Sequence, residues 1–347
     1  MAHSSHASAS GLPDINSILI PLAIVGFLLQ WGTMLIQGSL VQYIIVSWRG
    51  YFPSGTPVKN VWTGIFPLDH PLVILVTFFQ SLLNLAENPH LEGYLLLVDL
   101  LFALSVPSLL AVAEDRRNRK TGPLRYSVFW QMLWGFFGVA SAVSTFTRLY
   151  IKHRLPNSPS LPVDQAQALP FTAILQVLLV PVVVTPYVLG ASLTQVAYGT
   201  DLVSNLIARI GTIFLSPVVL SYYIVGISSA IFHWAVVLFT LQSPELSLLT
   251  LYIPNPSLVQ RGSPTQIAES AHHFIQYGYL FFNISVIILG KYASTLNKVV
   301  DGRTPGNNPF LTLVTVTAIG GPGAGMAWIL SKREKETADA RAYAKKG

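Results

Sequence analysis

From Ile15 to Trp48 no residue carries a charge. A run of that length is the strongest constraint in the chain, because it is long enough to cross the apolar core of a bilayer as a helix. Similar runs of about 20 residues recur, and they are continuous. Barrel strands would be about half as long and would alternate in polarity. In lipid only closed helices or closed barrels satisfy the backbone. The sequence therefore reads as an all-α polytopic transmembrane helix bundle.

Eight spans are expected: near Ile18–Gln37, Asp69–Ala86, Gly93–Ala113, Tyr126–Thr147, Phe171–Gly190, Pro217–Leu241, His273–Leu289 and Asn308–Leu330. Residues 1–14, rich in Ser, Ala and His and lacking a basic segment, read as a disordered leader. Residues 15–331 form one transmembrane helical domain, and 332–347 a charged tail. Asp201–Leu215 has the pattern of an interfacial helix. The last span carries Gly320-Gly321-Pro322-Gly323-Ala324-Gly325, which should break the helix or admit a neighbour closely.

Charged residues make up 10% of the chain against 52% hydrophobic ones, too few to cover a water-soluble surface. The net charge of +6 sits in short loops and the tail, which reads as a topology signal and not as a nucleic-acid patch. The Arg-rich loop after the third span marks the cytoplasmic face. An eight-span count then puts the basic tail on the opposite face. Seven spans, with the fifth or eighth segment re-entrant, would remove that conflict. Cysteine is absent, which excludes disulfides, thiolate catalysis and Cys-held metals.

Ionisable groups inside spans are functional candidates by default. Asp99 lies within the third span, and a carboxyl in apolar surroundings holds its proton more tightly, as a general acid must. It could equally be a packing carboxyl bonded to a neighbouring helix. Thr77, Gln80, Ser81, Asn84 and Glu87 recur at helical spacing and form one polar face, with Glu92 following across a short turn. Asp69 opens the same helix, where a carboxylate also suits the helix dipole. His233 stands mid-span, where a lone histidine is more often a hydrogen-bonded packing residue. Glu269, His272 and His273 read as an interfacial polar cluster, and no metal site is expected. Among the aromatics, Trp31, Phe78 and Phe79 could line an apolar cavity, and aromatic faces stabilise cations.

No phosphate-binding Gly-rich loop, His-box set, DDxxD or DxDD motif, or GxSxG elbow is present. What remains is proton transfer by a carboxyl in an apolar pocket, without a cofactor. That chemistry would isomerise or cyclise a hydrophobic substrate.

The segment Val61-Trp62-Thr63-Gly64-Ile65-Phe66-Pro67-Leu68-Asp69, followed by Phe78-Phe79, resembles fungal integral-membrane terpene cyclases of meroterpenoid and indole-diterpene gene clusters, of the ascofuranone and paxilline-pathway type. The long first loop and the Arg-rich loop after the third span are similar too. The resemblance implies a cyclase, in the endoplasmic reticulum membrane, that protonates an epoxide or alkene of a prenylated substrate. On that reading the candidate catalytic residues are Asp69, Asp99, Glu87 and Glu92. Gln80, Asn84, Trp31, Phe78, Phe79 and His233 would bind substrate. A transporter or exporter of a small apolar metabolite would use the same polar face as a path, and a receptor or assembly factor is a third option.

Overall fold

The computed structural model describes residues 12–58, 61, 63–84, 90–117, 122–156, 159–189, 216–301 and 309–344. The expected interfacial helix Asp201–Leu215 and most of the leader lie outside them. The helices are α1 (Ile15–Phe27), α2 (Thr33–Ile36), α3 (Ser39–Arg49), α4 (Phe66–Leu83), α5 (Leu91–Asp115), α6 (Ser127–Phe137), α7 (Val139–His153), α8 (Val163–Leu189), α9 (Pro217–Gln242), α10 (Leu248–Tyr252), α11 (Gln266–Asp301) and α12 (Pro309–Ala344). Leu28–Gly32 is a π-helical turn joining α1 to α2. Among the described residues seven helical stretches are long and apolar enough to cross a membrane. The expected span Tyr126–Thr147 is not one of them.

That segment is broken at Gly138, whose φ of 89° and ψ of 150° lie outside the helical region. α7 then folds back along α6. The Trp130 and Phe146 rings are 5.1 Å apart, where a straight helix would separate them by about 24 Å. The turn is buried. Gln30, in the π-helical stretch and fully buried, accepts from Ala140 N at 3.2 Å and donates to Phe274 O at 2.9 Å. Non-helical backbone at membrane depth is tolerated only with such internal partners. A side chain at Gly138 would collide with Gln30.

The glycine-rich stretch of α12 does the same. Gly321 has φ 79° and ψ 170°, and the helix reverses there. A methyl on Gly325 would strike Thr317, although a straight helix would hold those positions about 12 Å apart. A methyl on Gly323 would lie 2.8 Å from Ala103 Cα. The stretch therefore both breaks the helix and lets α5 and α9 approach.

These two hairpins rearrange the expected topology. The fourth segment, not the fifth, doubles back together with the eighth. The tail consequently meets the loop after α5: Arg117 pairs with Glu334, and with Glu114 at 2.7 Å. Arg154, at the end of α7, pairs with Glu114 at 2.9 Å, and Arg333 bonds Tyr150 and the Arg154 carbonyl. Arg148 reaches Asn16 at 2.8 Å, and Tyr292 reaches Pro13 O at 2.5 Å. Arg117, Arg154 and Arg333 thus gather at one end of the bundle. Opposing carboxylates raise the affinity of the buried Arg117 guanidinium for its proton despite the penalty of burial. The tail residues up to Ala344 continue α12 as helix.

Candidate functional site

The fully buried Asp99 of α5 meets three polar side chains from three other helices. His233 Nδ1 of α9 is 2.8 Å from Asp99 Oδ2. The Tyr252 hydroxyl of α10 donates to the same oxygen at 2.9 Å. Tyr279 of α11 places its hydroxyl 3.1 Å from His233 Nδ1. The Tyr252 and Tyr279 rings lie 5.1 Å apart beside the carboxyl. Oδ2 is fully engaged, whereas Asp99 Oδ1 is buried with no hydrogen-bond partner among the described residues.

The Gly321 turn closes this site from the fourth side. A Cβ there would lie 3.1 Å from His233 Cγ and 3.3 Å from the Tyr279 hydroxyl. In the tautomer with the proton on His233 Nδ1, the imidazole and the Tyr252 hydroxyl both donate to Oδ2, so a carboxyl proton for transfer sits on Oδ1. Burial first, and then the Asp99 carboxylate, push the Tyr252 hydroxyl well above the usual tyrosine range. Tyr252 therefore stays an O–H donor. The arrangement can hold a proton away from water and deliver it at a free carboxyl oxygen.

The other expected residues lie elsewhere. Asp69 accepts from Thr63 N at 2.7 Å, Thr63 Oγ1 at 2.8 Å and Gly64 N at 2.9 Å. It folds the preceding turn onto the start of α4. Glu92 lies 3.9 Å from His90, and Glu87 lies outside the described residues. Gln80, Ser81 and Asn84 line a cavity of about 470 Å³ with Gln42, Ser54 and Gln266. Trp31 and Phe78 each pack edge-on against Phe274, with centroids 5.3 Å away, and Phe78 meets Phe79 at 5.4 Å. Phe78 and Phe79 border a second, mostly apolar cavity of about 300 Å³ with Leu97, Leu101 and Trp134. Helical periodicity sets Leu97 and Leu101 on the face of α5 opposite Asp99, and Asp99 lines neither cavity.

Of the ten expected site residues, the structure thus joins Asp99 with His233 and gathers Trp31, Phe78 and Phe79 around Phe274. The polar face of α4 forms a separate hollow. Glu269 bonds Thr265 Oγ1 at 2.7 Å, and His272 bonds His90. No cluster with the makings of a metal site occurs among the described residues. Tyr252 and Tyr279 escaped the sequence reading. In a chain with 14 tyrosines nothing local sets these two apart.

Comparison with known proteins gives the same direction as the resemblance. Residues 15–208 match the CtvD domain. Two curated relatives are both named terpene cyclase DEP1. The one from Fusarium langsethiae is 26% identical over 80% of this chain and 71% of its own length. The one from Alternaria brassicicola is 23% identical over 82% of this chain and 88% of its own. No solved structure matches.

Proposed function

The chain belongs to the CtvD domain family, and on that premise we propose that it is a membrane-embedded terpene cyclase whose acid is Asp99. The observation that carries the assignment is the split carboxyl: Oδ2 is held by His233 and Tyr252, while Oδ1 is buried with no hydrogen-bond partner among the described residues. The names of the relatives support the activity.

The substrate is a prenylated compound bearing an epoxide or a terminal alkene. The Asp99 proton moves to the epoxide oxygen, and the C–O bond to the more substituted carbon breaks. An internal alkene closes on that carbon, forming a C–C bond and passing the positive charge along the chain. The last cation loses a proton, which returns to the carboxylate, so the product is an isomer of the substrate and no cofactor is consumed. The Tyr252 and Tyr279 rings face the developing cation. His233 and the two hydroxyls keep the carboxyl oriented without a water shell.

Substrate arrives from the bilayer beside α9 and α10, where Ile231, Leu249 and Ile253 are exposed. Gln80 and Asn84 in the polar hollow, and Phe78 and Phe79 beside the apolar cavity, stand apart from Asp99. The basic end faces the cytoplasm, and the membrane is that of the endoplasmic reticulum. Asp69 acts in folding.

The test uses microsomes supplied with an epoxidised prenyl phenol and chromatographic product analysis. Asp99→Asn should lower turnover by about 10²–10⁴-fold, the usual contribution of a general acid. Wild-type turnover in that variant would rule Asp99 out as the acid. One observation favours a second reading: paired hairpins that turn at mid-span are also a transporter device. Flux of an apolar metabolite across proteoliposomes, with its mass and skeleton unchanged, would establish that reading instead.

A further inference from the structure

Tyr252 is the one member of the Asp99 cluster that does not sit on a long helix. It ends α10, a helix too short to be stable by itself, whose last carbonyls have no intrahelical partners. Two buried side chains of α11 take them. Gln276 Nε2 donates to Thr250 O at 2.6 Å, Leu251 O at 3.2 Å and Ile253 O at 3.3 Å. His272 Nε2 donates to Leu251 O at 3.1 Å.

A carbonyl can only accept, so His272 carries its proton on Nε2 and offers a lone pair at Nδ1. His90 Nε2–H then donates to that lone pair at 2.9 Å. The donors run in one direction, from His90 through His272 to the backbone of α10. Leu251 is itself fully buried. The next residue is Tyr252, whose hydroxyl lies 2.9 Å from Asp99.

We propose that Gln276 and His272 are positioning residues that latch α10 so that Tyr252 bonds the Asp99 carboxyl. This rests on the reading of Asp99 as the acid. Neither side chain touches substrate. Each sets where the tyrosine hydroxyl sits, and misplacement of that order is felt in turnover.

The experiment reads the latch in two ways, on full-length protein in lipid nanodiscs. Amide hydrogen exchange over 248–253 reports the segment without reference to chemistry. Turnover of an epoxidised prenyl phenol reports the consequence. Gln276→Leu should speed exchange there and lower kcat at least about tenfold with little change in KM. In a Tyr252→Phe background the same substitution should have almost no further effect, because the group it positions is gone. His272→Leu should behave like Gln276→Leu, whereas His272→Gln keeps a donor at similar reach and should restore most of the rate. Unchanged exchange over 248–253 in both Leu variants would overturn the latch. So would faster exchange with unchanged kcat, or rate losses that multiply in the double variant. If Asp99→Asn proves fully active, the assignment of the acid falls, and the exchange result alone decides whether the latch stands.

Discussion

Replacing Gly321 by alanine tests how tightly the catalytic reading depends on a backbone turn. Its φ of 79° and ψ of 170° lie in a region almost closed to residues with a Cβ, at a cost of about 1–3 kcal/mol. The new methyl would sit 3.1 Å from His233 Cγ, 3.2 Å from His233 Nδ1 and 3.3 Å from the Tyr279 hydroxyl. To relieve this the imidazole must retreat by a few tenths of an ångström. His233 Nδ1 lies 2.8 Å from Asp99 Oδ2, and the bond weakens beyond roughly 3.2 Å, a margin of about 0.4 Å. The shift consumes most of it. Native stabilities of about 5–15 kcal/mol absorb the strain, so the variant folds. We expect turnover per folded molecule to fall ten- to a hundredfold. Gly122→Ala is the matched control. Gly122 has φ 79° and ψ −176°, yet nothing lies within 4 Å of its would-be Cβ, so it carries strain without a clash. Thermal unfolding in nanodiscs, followed by tryptophan fluorescence, reports stability, and product analysis reports turnover. The reasoning is refuted if Gly321→Ala folds and turns over like the wild type, or if Gly122→Ala loses as much activity.

Three further outcomes follow from the fold. The chain has no cysteine, so single-cysteine variants report topology directly: Lys152→Cys and Glu336→Cys should react with a membrane-impermeant maleimide from the same side of sealed vesicles, and Gln260→Cys from the other. Asp69→Asn turns an acceptor into a donor facing Gly64 N–H, so it should cost about 1–3 kcal/mol in thermal unfolding and leave turnover per folded molecule intact. Burial lowers the His90 pKa below its usual 6.5, against the opposing pull of Glu92 and Glu269. The unfolded chain then takes up the proton first, so stability should fall as pH drops through 6.5 and level off below the folded value. The slope should flatten in His90→Gln, and an unchanged slope would count against that origin.

The segment that carried the resemblance acquires a physical meaning here. Thr63, Gly64 and Asp69 form a closed hydrogen-bonded turn, which engages both oxygens of its acidic residue. Among the described residues it is His233, Tyr252 and Tyr279, and not Glu92, that surround Asp99.

Hydrophobic run length needs no partner to be read, because a bilayer acts on each segment separately. The helical class and most spans, Asp99 as a buried carboxyl and the break in the glycine stretch of α12 all follow from local sequence. Pairing is different. Asp99 and His233 are 134 positions apart, and no local pattern says which helix faces which. The reversal at Gly138 was also hidden, since one glycine in an apolar run looks the same in a span as in a hairpin. Only when Gln30 takes up the exposed backbone of the turn does the hairpin become affordable in lipid. Tertiary packing, not composition, therefore decided which segments double back, what the tail packs against and the company that Asp99 keeps.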